Sequence, residues 1–398
     1  MRLNDIHIAN ITINNKLLEI DPQDYSFSII DNINKLYATA NMTLHDGTGL
    51  MQEYLQTTIG SKWKISFGDE KTINESTYRV LYDYMDSPEL PGYISGNIDL
   101  FMNHEWFNQQ SIRSEAHKDR ISKAIKKLLG KYSFNSLDIN DTGNEDIWYQ
   151  PLITDAKFIQ EGLLPFAFSV NANNTPFYAY VTTDNIFHFR NLQSMLDEGV
   201  VETIEYKVVP GNLETEVDVS NYTTQIKKWK TNYKHFWKLQ NRKLFSIDIS
   251  TGDLVEDKDA LIDYPPKSNL STPIINEYQD NITDFNFSYE PMPHDETKDS
   301  ENTQGFHTHE QREGQFIDTF LILQPMNPKY HAGKTVQLNV YTVQQEGEQL
   351  SKNFSGKYII IECEHIWEGQ GNRAYSKLVL GRKYIQVPSS YLLTPKLL

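Results

Sequence analysis

Gly60-Ser-Lys-Trp-Lys-Ile-Ser-Phe67 and Gly333-Lys-Thr-Val-Gln-Leu-Asn-Val340 each open on a glycine and then alternate apolar and polar side chains. Tyr78-Arg-Val-Leu-Tyr-Asp-Tyr84 follows the first block, and Tyr358-Ile-Ile-Ile-Glu-Cys-Glu364 follows the second. A third pair, Tyr93-Ile-Ser-Gly-Asn-Ile98 and Tyr375-Ser-Lys-Leu-Val-Leu380, keeps the same order after a turn. Alternation at period two marks a strand with one buried face. The same three strands in the same order, twice, predict two copies of one antiparallel β unit. Any two strand–turn–strand segments share period two, so a chance likeness stands as the alternative at this point.

Outward from the first block, residues 1–107 read as short strands separated by turns. Tyr25, Phe27 and Ile29 alternate with polar or small residues, and Met42 and Leu44 lead into His45-Asp-Gly-Thr-Gly49. Such spacing predicts an antiparallel barrel or sandwich. Residues 111–130 break the rhythm: Ile121, Ala124, Ile125, Leu128 and Leu129 lie on one helical face. Ser111 or Ser114 is the candidate N-cap of a helix over 114–129, and Gly130 is its stop. A second helix is expected after Thr154, with Phe158, Ile159 and Leu163 inward and Pro165 ending or kinking it. A hairpin follows, Phe177–Val181 and Ile186–Phe189 about the turn 182–185. Strand signals return from about 199. Residues 241–312 read as an insertion, with Pro265, Pro266, Pro291, Pro293 and the polar run His294–Asn302.

The chain has 398 residues and a net charge of −16, with 12% aromatic residues and a single cysteine, Cys363. That length predicts two or three domains. The charge disfavours general binding to phosphate backbones. One thiol forms neither an internal disulfide nor a cysteine zinc site. Met1-Arg-Leu-Asn-Asp5 lacks a signal pattern, and runs such as Phe320–Leu323 and Tyr358–Ile361 are far too short to span a bilayer. The expectation is a soluble acidic protein made in a reducing cytoplasm.

Chemistry-bearing patterns are sparse. No phosphate loop, nucleophile elbow, paired-histidine zinc helix or dinucleotide turn is present. Cys363 lies two residues before His365 in an alternating strand and reads as a small core residue rather than a nucleophile. His294, His307 and His309 cluster in a polar segment with no spaced third ligand, and a solvated loop is the favoured reading. Residues 227–243 hold seven Lys/Arg and four aromatics without an acid. They suit a subunit contact with a positive rim better than single-strand nucleic-acid binding. Trp229, Tyr233 and Trp237 fit helical spacing, and a twisted strand is equally open. No catalytic, cofactor-binding or metal-ligating residue is assigned.

Four stretches together resemble the baseplate hub family of contractile-tailed bacteriophages, the T-even-phage central hub. They are Ile29–Tyr37 through His45-Asp-Gly47, the helix Ile121–Leu129, Trp148 with helix 155–164 and hairpin 177–190, and Tyr358–Ile366 with Tyr375–Leu380. They span most of the chain in family order; 241–312 departs from the family. The resemblance implies a β-rich α+β fold, with two similar antiparallel β-barrel tube domains plus peripheral mixed α/β domains. The implied division is a first tube-type barrel over 1–107 and a mixed α/β domain over 108–198. A second barrel follows over 199–240 and 313–385, interrupted by the peripheral insertion 241–312, with a C-terminal tail over 386–398.

It further implies a non-enzymatic homotrimer without cofactors, a pseudo-sixfold ring joining a hexameric tail tube to a trimeric central spike. DNA would be only a transient passenger, other baseplate proteins would be partners, and membrane insertion is not expected. The place would be the virion tail baseplate, with assembly in the host cytoplasm. Alternatives are a component of a contractile secretion system, a tail-tip protein with cell-wall-degrading activity, and a carbohydrate-binding β protein.

Overall fold

A computed structural model describes residues 7–17, 21, 24–46, 59–69, 71–85, 96–143, 145–169, 175–207, 224–231, 243–247, 254–257, 287–289, 309, 312, 315–316, 318–344, 347–351, 354–369 and 373–382. The fold is mostly antiparallel β with few helices. The N-terminal unit begins with β1 (His7–Ile13) and the short β2 (Lys16–Leu17). It continues with β3 (Tyr25–Asn32), β4 (Thr39–Asp46), β5 (Lys62–Gly68), β6 (Ile73–Met85) and β7 (Gly96–His104). Alternation places Phe27, Ile29, Ala40, Met42, Trp63, Ile65, Leu100 and Met102 in one buried cluster.

An α/β module follows: α1 (Glu105–Asn108), β8 (Ile112–Arg120), α2 (Ile121–Leu129), β9 (Ser136–Ile139) and β10 (Glu145–Thr154). It continues through α3 (Asp155–Lys157), β11 (Phe177–Val181), β12 (Ile186–Asn191) and α4 (Leu192–Asp197). The expected apolar face of α2 is buried, and Lys123, Lys126 and Lys127 are exposed. Its start differs from the sequence expectation. Neither serine caps it; residues 112–120 form β8, paired with β10, and Arg120 precedes the helix in extended conformation. The physical reason is that β8 buries only His117, so it carries no apolar alternation. The second helix starts after Thr154, whose hydroxyl accepts from the Lys157 N–H. It widens into a π turn over Phe158–Leu163 and tightens to a 3-10 turn at Leu164–Phe166, where Pro165 lies.

The C-terminal unit comprises β13 (Thr203–Lys207), β14 (Gln225–Thr231), and a small sheet of β15 (Lys243–Ile247), β16 (Leu254–Asp257) and β17 (Phe287–Tyr289). Then come β18 (Asp318–Pro325), β19 (Thr335–Gln344), β20 (Gly347–Leu350), β21 (Gly356–Glu368) and β22 (Arg373–Arg382). Of the basic–aromatic stretch, 227–231 is strand, with a register shift between Ile226 and Lys228. Residues 232–242, the polar run 294–302, His294 and His307 lie outside the described residues.

The two units share a strand plan. The order β3-β4-β7-β6-β5 in the first is matched by β14-β18-β22-β21-β19 in the second, with every pairing antiparallel. Trp63 faces Tyr78, and Val336 faces Tyr358. The bulge between Val80 and Tyr82 recurs between Ile360 and Glu362. Gly60 and Gly333 both have φ near +80° (79° and 82°). Their N–H groups donate to the carbonyls of Val80 and Ile360, each at 2.8 Å. The third sequence pairing needs correction. Val80 faces Met102 and Ile360 faces Leu380, so Ile98 corresponds to Ser376, four residues from the Leu380 that alignment on Tyr93 and Tyr375 assigns. The cause is the longer connection between β6 and β7 than between β21 and β22. Tyr93 lies outside the described residues.

Instead of two separate closed barrels, 14 of the described strands, those of the two units apart from β15–β17, form one continuous sheet. The cause is β21. Gly356–Ile359 pair with β19, and Glu362–Glu368 pair with β3 along the same edge, while β22 occupies the other edge. The distal half of β21 thus spends its hydrogen bonds on the first unit instead of closing the second.

Candidate channel surface

Strand alternation gives the continuous sheet one face on the cores and one turned away from them. On the outward face β21 carries Glu362, Glu364, Ile366 and Glu368. Register places Asn32, Ile30, Ser28 and Ser26 of β3 opposite them, and Val379, Lys377, Tyr375 and Arg373 on the other side. The face continues through Thr39, Asn41 and Thr43 of β4 to Phe101 and Asp99 of β7. Except for exposed Arg373, these side chains are half-buried.

Along these five strands the charges are four carboxylates (Asp99, Glu362, Glu364, Glu368) and two cations, Lys377 and Arg373; the same face adds Lys62, Lys64 and Arg79 against Glu75 on β5 and β6, and Lys228 on β14. Lys377 Nζ lies 2.7 Å from Glu364 Oε2. Asn32 Nδ2 donates to Glu362 Oε2 at 2.7 Å, Thr43 Oγ1 to Asp99 at 2.6 Å, and Tyr375 Oη to Glu368 at 2.8 Å. Hydroxyls and an amide thus fix Glu362, Asp99 and Glu368 without neutralising them, while Lys377 neutralises Glu364. The result is a polar, mildly acidic strip over β7, β4, β3, β21 and β22, flanked by cations on β5, β6 and β14.

Asp31 locks the joint behind this face. Its fully buried carboxylate accepts from Ala332 N–H at 3.0 Å through Oδ1 and from Thr183 N–H at 3.2 Å through Oδ2. One aspartate therefore ties β3, the turn of the β11–β12 hairpin and the approach to β19. His331 stands 3.5 Å from Asp31 Oδ2 and 3.7 Å from Asp184 Oδ2, and Thr183 Oγ1 is 3.1 Å from its Nδ1. Burial opposes protonation of His331, but Asp184 and Asp31 outweigh it and raise its pKa above the ordinary value. Asp184 is shifted down: burial opposes this, but His331 and the Thr182 hydroxyl prevail. No sequence motif marks this cluster, because its members come from three distant segments.

The histidine and cysteine candidates carry no visible chemistry. Cys363 and His365 share the core face of β21, with Sγ 3.4 Å from Nε2. Burial raises the thiol pKa well above its ordinary value and lowers that of His365 to about 4. The Tyr330 carbonyl, 3.0 Å from His365 Nε2, can only accept, so Nε2 carries the proton and Nδ1 accepts from Ser376. That tautomer leaves no base for the thiol. The pKa of His309 is lowered to about 3 by burial and the nearby Arg312. Among the described residues no cluster of three or more His, Cys, Asp or Glu could hold a metal, and no helix is long and apolar enough to cross a membrane.

No family model matches the sequence, and no curated protein matches it. Solved structures do. The chain is similar to a tail protein from Neisseria meningitidis MC58, with TM-score 0.53 and 8% identity over 96% of this chain and 98% of that one. It is also similar to the 43 kDa tail protein of prophage MuSo2 from Shewanella oneidensis, with TM-score 0.53 and 7% identity over 95% and 98%. At such low identity the likeness establishes a shared β-rich fold across nearly the full length of each chain.

Proposed function

We propose that this chain is the structural hub of a phage-type tail tip. Three copies form a ring of six tube-type β units, divided along the chain as the sequence predicts. The ring joins a hexameric tail tube to a trimeric central spike, and other baseplate proteins surround it. DNA passes through the ring, and the acidic face described above lines the bore. The protein belongs to the virion tail baseplate and is assembled in the host cytoplasm.

The observation that carries this reading is the repeated strand plan: order, register, bulge and entry glycine recur in two units of one sheet. Two like modules per chain let three chains offer six like positions to one partner and three to another. The acidic face supports passage of DNA, since like charge discourages adhesion. The fold shared with the two tail proteins supports the same place of work.

The reading gives the chain no hydrolase activity; the inert Cys363–His365 pair supports this. Native mass spectrometry of the chain with its tube and spike proteins tests the proposal. Three copies are expected; six copies or one would overturn it. Clearing of purified peptidoglycan, abolished by a single carboxylate substitution, would overturn the non-enzymatic part.

A further inference from the structure

The α/β module turns an apolar face to solvent. β8 and β10 form a ribbon of two strands, with Ala116 opposite Tyr149 and Lys118 opposite Ile147. The inward side of the ribbon serves the module: Trp148 belongs to the core cluster that holds α2, and His117 stacks on Phe158 at 5.5 Å. The other side carries Ile112, Ala116, Ile147, Tyr149, Pro151 and Leu152, all exposed. A solvent face of an antiparallel pair is ordinarily polar. Yet four of the eleven exposed large hydrophobics among the described residues lie here, Ile112 and Tyr149 at 68% exposure and Leu152 at 72%.

Leu152 shows that the exposure is built in. It is the extra residue of a bulge between Pro151 and Ile153, and its φ of 50° lies in the left-handed region. A leucine is strained there and a glycine is not. Such strain persists where the surroundings impose it, and it gathers at binding surfaces.

Charge says what fits the face. β8 and α2 carry six cations (Arg113, Lys118, Arg120, Lys123, Lys126, Lys127) against two carboxylates, Glu115 and Asp119. β10 adds Glu145, opposite Arg120, and Asp146. The surplus of cations is local, in a chain of net charge −16. Asp119 pairs with Lys123 at 3.2 Å, Glu115 and Asp155 each lie 3.8 Å from Arg113, and Asp141 lies 3.9 Å from Lys126. Lys118, Arg120 and Lys127 are exposed and make no ion pair among the described residues. Lys118 and Arg120 share the outward side with the apolar residues, at the end of β8 remote from Ile112.

Resting on the tail reading above, we infer that the outward face of the β8–β10 ribbon docks an acidic, apolar segment of another tail protein. Its apolar side chains lie against Tyr149, Leu152 and Ile112, and its carboxylates against Lys118 and Arg120. From Ile112 to Lys118 the strand rises about 20 Å, room for about six extended residues. The net negative chain repels an acidic segment elsewhere, so these cations steer it here and set its direction, and apolar burial holds it. A phosphate backbone or an anionic lipid surface would meet the same cations. Glu115, Glu145 and Asp146 on the ribbon disfavour both, whereas a peptide can place its carboxylates between them.

The test uses purified tails that contain the full-length chain. Carbodiimide joins a lysine amine to a carboxylate in contact with it, and should link Lys118 to an Asp or Glu of another tail protein. Photolysis of p-benzoylphenylalanine placed at position 149 should reach apolar residues of the same segment. Lys118→Arg keeps the charge and should abolish the carbodiimide link. Tyr149→Asp should lower that link at least tenfold with melting unchanged. Leu152→Gly relieves the left-handed strain, so it should melt no lower than the parent and still lower the link at least fivefold. Links that reach only a second copy of this chain, lipid or nucleic acid, or no links at all, would overturn the inference and leave the tail reading intact. Undiminished links in Tyr149→Asp and Leu152→Gly would do the same. Tails that lack this chain would overturn both.

Discussion

Gly60 and Gly333 enter β5 and β19 with nearly the same φ, 79° and 82°, yet their surroundings differ. A Cβ on Gly60 would meet nothing within 4 Å among the described residues; one on Gly333 would lie 1.9 Å from Tyr180 Oη. The α/β module packs over the second unit at this point through Tyr180, whereas it meets the first unit elsewhere, at Asp31 and Ser76, and leaves Gly60 uncovered among the described residues. The same contrast holds at the bulges, buried Ile361 against exposed Leu81. Two units of one plan thus differ mainly in what covers them.

The largest effect should come from breaking the joint at Asp31. Asp31→Ala leaves the buried N–H groups of Thr183 and Ala332 without their acceptor and strips His331 of a counter-charge. Each orphaned buried donor costs about 1–3 kcal/mol, so a loss of roughly 5 kcal/mol in urea unfolding is expected. Next, Ile361→Asp should cost about 4 kcal/mol as an unpaired buried charge, and Leu81→Asp less than about 0.5 kcal/mol in the isolated chain. Equal melting temperatures for the two variants would erase the contrast between the units.

The glycines sharpen it further. Gly60→Ala should cost about 1–2 kcal/mol, the penalty for a side chain in the left-handed region. Gly333→Ala adds a collision with Tyr180, itself buried and stacked on His188, and should cost about 3–4 kcal/mol.

The smallest effect concerns pH. His331 faces Asp31 and Asp184, with Thr183 and His365 beside it and Lys334 opposing its charge. Its folded pKa lies above its unfolded one, so its contribution is complete below the ordinary histidine value of 6.5 and disappears as pH rises through the raised value. Asp184 runs the other way, and its contribution is lost as pH falls through its depressed value. Stability at the joint should therefore decline on the alkaline side, and His331→Gln should flatten that slope in melting curves.

Much of this plan was legible in the sequence, for identifiable reasons. Gly60 with Trp63, and Gly333 with Val336, show period two at equal offsets, and the structure pairs them with Tyr78 and Tyr358 as that spacing requires. The inward face of α2 was equally plain at period 3.6. Three things were hidden. β8 buries only His117, so it looked like the approach to a helix. The third block slipped by four residues because connection length leaves no mark on strand alternation. The Asp31–Thr183–His331 joint joins residues about 150 positions apart, which no local pattern reports.

The most direct test of the account is a cryo-electron microscopy reconstruction of the assembled tail tip, computed without imposed symmetry. The account predicts three copies of this chain and six equivalently placed β units. Glu362, Glu364, Glu368 and Asp99 would face the bore. A different copy number, or those four carboxylates turned outward from a basic bore, would contradict it.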